Sequence, residues 1–237
     1  MRYVKAACLL LAVLSLTGCE TLKESSKYQF NEGFYKTRAG NGKMEKMYVV
    51  ANGDSVKVYS PGAIRNQVDT NRSITIAFPP VRKTTDFKNY AFQRNTFDLD
   101  VLTILFKYRF PAQGFPNQLN ATFNGAVYAG LRKDVYKLKY NETPLHIHKR
   151  SISHYGYSLG CFAGFGTARI DEYVTLNRLQ TEYDGVVTLE GLAAIIALDK
   201  LTFGLTLGED HLLDRNRKLW VNQARPWIGL SVGLNLN

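Results

Sequence analysis

The chain has 237 residues and carries 30 lysines and arginines against 20 aspartates and glutamates, a formal net charge of +10. That length suits one large β-domain, or one domain with a small companion. Its cysteines, Cys8, Cys19 and Cys161, form no CxxC pair and no zinc spacing, and no segment beyond the N-terminus approaches about eighteen unbroken apolar residues. A disulfide or zinc framework and a helical membrane span are therefore excluded.

Residues 1–18 open with the basic Arg2 and Lys5, continue through an apolar stretch from Ala6 to Leu16, and end in Leu16-Thr17-Gly18 before Cys19. A basic start, a short apolar stretch and small residues before a cut predict a secretory signal, too short to span a bilayer as a helix. The run Leu16-Thr17-Gly18-Cys19 resembles the lipobox of bacterial lipoproteins. That resemblance implies cleavage before Cys19, a diacylglycerol on its sulfur and an N-acyl chain on the new amine, with no other cofactor. Glu20, in place of the Asp that favours inner-membrane retention, points to the outer membrane. Removal of residues 1–18 leaves 219 residues and lowers the formal charge from +10 to +8. An exported chain of this charge is expected to meet the lipid bilayer, lipopolysaccharide or other envelope proteins rather than nucleic acid.

Residues 19–27 are polar after the cysteine and read as a lipidated tether. Residues 28–95 are expected to form an N-terminal β-hairpin region. Met47–Val50 and Val56–Tyr59 flank Asn52-Gly53-Asp54, a strong hairpin signal, and 73–78 reads as a short strand stopped by Pro79-Pro80.

From residue 96 the sequence alternates with period two. Leu119, Ala121, Phe123, Gly125, Val127, Ala129 and Leu131 oppose Asn120, Thr122, Asn124, Ala126, Tyr128, Gly130 and Arg132. The segments 154–166, 201–208 and 228–237 behave alike, so each strand presents an apolar face and a face of Gly, Ser, Thr and Asn. In the first strand Phe97, Leu99 and Val101 oppose Asp98 and Asp100, whereas Phe106, Tyr108 and Phe110 oppose Lys107 and Arg109. A bulge near Val101-Leu102 would reconcile the two phases. The inward charges are expected to pair with one another. A two-residue turn at Asp199-Lys200 and longer polar connections at 111–118, 171–184 and 209–225 complete the pattern, with one helical turn expected within 171–183.

Strands of this length match the ~9–11 residues a membrane strand needs. The expected fold is all-β: an antiparallel up-and-down barrel of about eight strands over 96–237, embedded in the membrane, on an N-terminal lipid-anchored tether. Six long strands are clear, and the missing pair would come from 47–59, 73–78 or 28–37. With the C-terminus periplasmic, Trp227, Tyr108 and Phe110 would mark the outer interface and Tyr155 and Tyr157 the inner one. The alternative is a soluble sheet protein on a lipid tether, with its apolar face covered by a second sheet.

Chemistry-bearing residues are few. His146 and His148 share a strand face with His154, and such spacing can hold a divalent metal. Ser153 beside His154 resembles the pairing in outer-membrane lipid hydrolases, where His deprotonates Ser. Neither reading has a third orienting residue, and Lys149 and Arg150 would repel a cation. His211, with Glu209 and Asp210, is expected to be solvated in a loop. The segment 132–150 carries Arg132, Lys133, Lys137, Lys139, Lys149 and Arg150 against Asp134 and Glu142, and it could contact lipid headgroups or form the protected edge of a soluble ribbon. As a whole the chain resembles outer-membrane lipoproteins of the Bacteroidota kind. That implies a non-enzymatic structural or accessory subunit of an envelope assembly. A lipid-modifying hydrolase and a soluble tethered domain binding envelope glycans remain alternatives.

Overall fold

The computed structural model describes residues 30–38, 43–52, 55–62, 67–77, 90–111, 114–142, 144–145, 148–198 and 201–235. The expected signal (1–18), Cys19, the tether (19–27), Pro79-Pro80 and His146 lie outside these residues. The described chain is all-β and antiparallel, with no α-helix. The strands are β1 (Gly33–Arg38), β2 (Met44–Asn52), β3 (Ser55–Pro61), β4 (Val68–Ala77), β5 (Tyr90–Arg109), β6 (Gln118–Asn120), β7 (Asn124–Glu142), β8 (His148–Ile170), β9 (Tyr183–Leu198), β10 (Leu201–Leu212) and β11 (Pro226–Asn235).

Two compact units divide them. The first comprises residues up to 92 together with 137–152. Within it β1, β2, β3 and β4 follow one another in an antiparallel meander. The β2–β3 hairpin pairs Asn52 with Ser55, as the Asn-Gly signal predicts. Its apolar residues Tyr35, Met47, Val49, Val56, Val58 and Phe92 are buried, and Phe30 packs on Tyr35 and Phe92 with ring centroids 5.2 and 4.9 Å away.

The second unit, 93–136 and 153–236, holds a closed ring. Its hydrogen-bonded order is β5-β7-β8-β9-β10-β11, and β11 returns to pair with β5. The ring thus has six strands rather than the expected eight. Pairing of β11 along β5, from Trp227 opposite Arg109 to Asn235 opposite Asp100, satisfies the last edge without any strand from 28–77. On its other edge β1 pairs with β5.

The alternation read from the sequence sets the two faces. Along β10, Phe203, Leu205 and Leu207 are exposed while Thr202, Gly204, Thr206 and Gly208 are buried. Every strand of the ring repeats this, and Leu131, Leu159 and Phe165 are 76%, 68% and 63% exposed. The ring is apolar outside. Inside, Leu102, Ile104, Tyr128, Phe162, Leu189, Ile195 and Trp227 form one buried cluster, flanked along β5 by Asp98 and Asp100 on one side and Lys107 and Arg109 on the other.

The phase of β5 does flip, but at Leu105–Phe106, where consecutive residues are both exposed, and not at Val101-Leu102. Leu105 is the extra residue: Leu230 pairs with Phe106 and Ser231 with Ile104. The bulge also explains why 119–132 is not one strand. The register Lys107–Asn120, continued, sets 121–123 opposite 104–106, where pairing lapses between β6 and β7. Asn124 bridges the lapse, its side-chain amide donating to the carbonyls of Thr122 (2.7 Å) and Ile104 (3.5 Å).

Long connections gather at one end of the ring. Val221 N–H donates to the Val174 carbonyl at 3.0 Å, Phe115 packs edge-on against Tyr173, and Asn222 bonds Gln118. The expected helical turn is the 3-10 segment Tyr173–Thr175. Trp220 is buried there with Ala168, Ile170, Val187 and Leu212.

Candidate functional site

The ring brings its charges together inside, in two groups. Asp210 anchors the first. Lys107 Nζ lies 2.8 and 3.0 Å from its two carboxylate oxygens, Trp227 Nε1 donates to it at 2.9 Å, and Arg109 makes a further ion pair. Lys107 also sits 4.7 Å from the Trp227 ring centroid, and Arg109 5.4 Å from that of Trp220. All of these groups are buried, and the carboxylate and the aromatic faces replace the water that two cations would otherwise hold.

This corrects three expectations. The inward pairing of Lys107 and Arg109 holds, but their partner is Asp210, which the sequence reading assigned to a solvated loop. β10 extends through Leu212, so Asp210 continues the inward series Gly204, Thr206, Gly208. Trp227 points inward and is fully buried; it marks no outer interface.

The second group lies at the other end of the buried cluster. Asp134 accepts from Arg132 Nε at 2.8 Å and from Thr96 Oγ1 at 3.0 Å, and His154 Nε2 lies 2.7 Å from the same carboxylate. Arg132 reaches Asp98 at 3.8 Å. The imidazole stacks on Tyr136, centroids 4.5 Å apart and 10° from parallel. Asp134 and Tyr136 follow Arg132 at intervals of two, so the alternation already placed them inward.

This geometry decides what the proposed Ser/His and metal residues can do. Ser153 and His154 are consecutive on β8, so their side chains leave opposite faces of the strand. The structure does not bring them together. Nε2 of His154 faces the Asp134 carboxylate and its ring stacks on Tyr136, so the imidazole is held on the inward face of β8, opposite the face that carries Ser153. His148 is the first residue of β8, and its side chain lies outside the described residues.

One cluster was missed. Glu190 and Glu209 are register partners on the outward face of β9 and β10, and His211 Nε2 lies 3.2 Å from Glu209 and 3.8 Å from Glu190. Gln223 fixes the ring: its carbonyl oxygen accepts from Leu212 N–H at 3.0 Å, which turns its amide nitrogen towards His211 Nδ1 at 3.4 Å. Nδ1 therefore accepts and Nε2 carries the proton towards Glu209, the arrangement of a hydrogen-bonded bridge between two like charges rather than of a metal ligand.

Searches against family models, curated proteins and solved structures found no match to this chain.

Proposed function

We propose that this chain is a small β-barrel of the bacterial outer membrane, lipid-anchored through Cys19, and that it serves as a non-catalytic structural or accessory subunit of an envelope assembly. One observation carries the reading: around all six strands an apolar belt is exposed, with charges such as Lys133, Glu190 and Glu209 outside it, while the buried face holds Lys107, Arg109, Asp210 and the small polar residues. Leu205, Leu207, Ile196, Leu159, Val127, Phe106 and Leu230 face outward on successive strands, while Lys107, Asp210 and Thr206 are at most 1% exposed. In water a continuous apolar belt of this extent is a liability. Against hydrocarbon it is the favoured surface, and polar groups are satisfied inside.

Strand length supports the same reading. The shortest ring strands, β11 and β10, have 10 and 12 residues, and ~9–11 residues tilted at ~45° cross a bilayer core. A ring of six is narrower than the usual minimum of eight. Glycines at inward positions 130, 156, 204, 208 and 229 give it room, since ring diameter falls with strand number and inward side chains must shrink to match. The packed aromatic and charged interior favours a structural role over conduction.

The test separates the ring from its anchor. The chain is exported from a non-lipidating signal with Cys19→Ala, so that only the ring can hold it to the membrane. The expected result is retention in the membrane fraction after carbonate washing, and faster gel migration of the unboiled than of the boiled sample. Recovery as a folded, water-soluble protein without detergent would end the reading.

A further inference from the structure

Two shallow grooves of about 500 Å³ each are open on the outward face of the ring. That volume falls within the ~300–1,000 Å³ of small-ligand sites. They differ in the charge at their rims. The groove over β8, β9 and β10 is lined by Cys161, Ala163, Leu192 and Leu207 and carries Glu190 and Glu209. The groove over β5, β7 and β8 is lined by Phe97, Leu131, Tyr157 and Leu159, all more than half exposed, and carries Lys133 and Asn95 with no carboxylate among its lining residues.

We propose that the β5–β7–β8 groove seats one acyl lipid with an anionic phosphate headgroup. Its chain lies along Leu131, Tyr157, Leu159 and Phe97, and its phosphate meets the Lys133 ammonium. The inference rests on the membrane reading above and deepens it by naming a lipid class and a place. The alternation supplies the geometry: Leu131 and Lys133 are two apart on β7 and so share the outward face, the apolar residue first and the cation at the edge of the belt. An ammonium at that border is matched by a headgroup phosphate, and a basic residue near the surface favours anionic lipid. Arg132 also lines this groove, but its guanidinium is buried on the inward side, with Nε on Asp134 and a terminal nitrogen 3.8 Å from Asp98, so the exposed cation is Lys133. The second groove has equal volume but two carboxylates, which repel the same headgroup. Rim charge, not shape, selects the site.

The full chain is reconstituted into phosphatidylcholine vesicles with a minor share of phosphatidylglycerol, re-extracted in mild detergent, and its retained lipids counted by native mass spectrometry. Wild type is expected to retain phosphatidylglycerol in preference to phosphatidylcholine. Lys133→Gln should lower that retention about three- to tenfold, and Leu159→Trp, which fills the groove, should lower it as well. Lys218→Gln, an exposed lysine in the 3-10 segment Arg215–Lys218, should leave it unchanged. Equal retention by Lys133→Gln, or an equal loss with Lys218→Gln, would overturn the site. Displacement of the lipid by excess inorganic phosphate would show a simple anion site and overturn the lipid assignment. Should Leu159→Trp fail to fold by unboiled gel mobility, Lys133→Gln decides alone. A chain that never enters the vesicles defeats the membrane reading and this site together, whereas one that enters and shows no Lys133 dependence defeats only the site.

Discussion

Asp210 answers to Lys107, Arg109 and Trp227 at once, so its replacement is not the loss of one bond. Asp210→Ala leaves two buried cations without a counter-charge, and breaking a buried pair costs about 3–5 kcal/mol. The expected outcome is a large fall in the urea midpoint of the detergent-folded protein, followed by tryptophan fluorescence; an unchanged midpoint would contradict the buried network. A second residue-scale prediction concerns space. A Cβ on Gly160 would run into the Ala129 carbonyl oxygen of the neighbouring strand, whereas one on Gly125 would meet only the Phe123 ring at 3.7 Å, an ordinary contact. Gly160→Ala should cost about 1–3 kcal/mol through overpacking, and Gly125→Ala no more than about 0.5 kcal/mol. The same unfolding measurement compares them directly, and equal costs would mean that the strands do not approach as closely as described.

At the scale of the strand, the outward face of β10 offers the sharpest contrast between water and lipid. Leu205 is 57% exposed and lies between Phe203 and Leu207. An exposed leucine in water tolerates arginine within about 0.5 kcal/mol, but on a lipid-facing strand near the midplane the change costs about 2–4 kcal/mol. Leu205→Arg should therefore destabilise the protein in bilayers, as measured by its folded fraction across a urea series in vesicles. A neutral result would place this face in water. The β5 bulge works at the same scale. By adding Leu105 it lets Leu102 and Ile104 face inward on one side and Lys107 and Arg109 on the other. A single residue thereby keeps both the apolar cluster and the Asp210 network inside one strand.

At the scale of the molecule, the proposed attachment is double, by lipid and by ring. Palmitate supplied to growing cells should label the wild-type chain, and Cys19→Ala should abolish the label. Persistence of the label in that variant would refute lipidation at Cys19. Two attachments of such different strength would also separate on washing, since an embedded ring resists extraction whether or not acyl chains are present. The first unit adds a four-strand meander with its own aromatic core at Phe30, Tyr35 and Phe92. It is built from residues that the expectation of eight strands had offered to the barrel.

What the sequence determined alone is the inside and the outside of each strand. Alternation is local: a strand's side chains leave on opposite sides whatever it pairs with, so Leu205 out with Thr206 in, and Asp98 in with Phe97 out, were legible without partners. Hairpins closed by two residues were legible for the same reason, as at Asn52–Ser55 and Leu198–Leu201. Strand number was not, because ring closure depends on which distant edges meet. Nothing local to β11 announces that its free edge pairs with β5, more than a hundred residues earlier. Partner choice among the buried charges was equally hidden: the sequence put Lys107 and Arg109 inside, but only the closed ring carries Asp210 to them across 103 and 101 residues. The tertiary structure decided these points because an unpaired edge and an unpaired buried charge are satisfied by whatever the fold brings near, and nearness across a ring is not written in spacing along the chain.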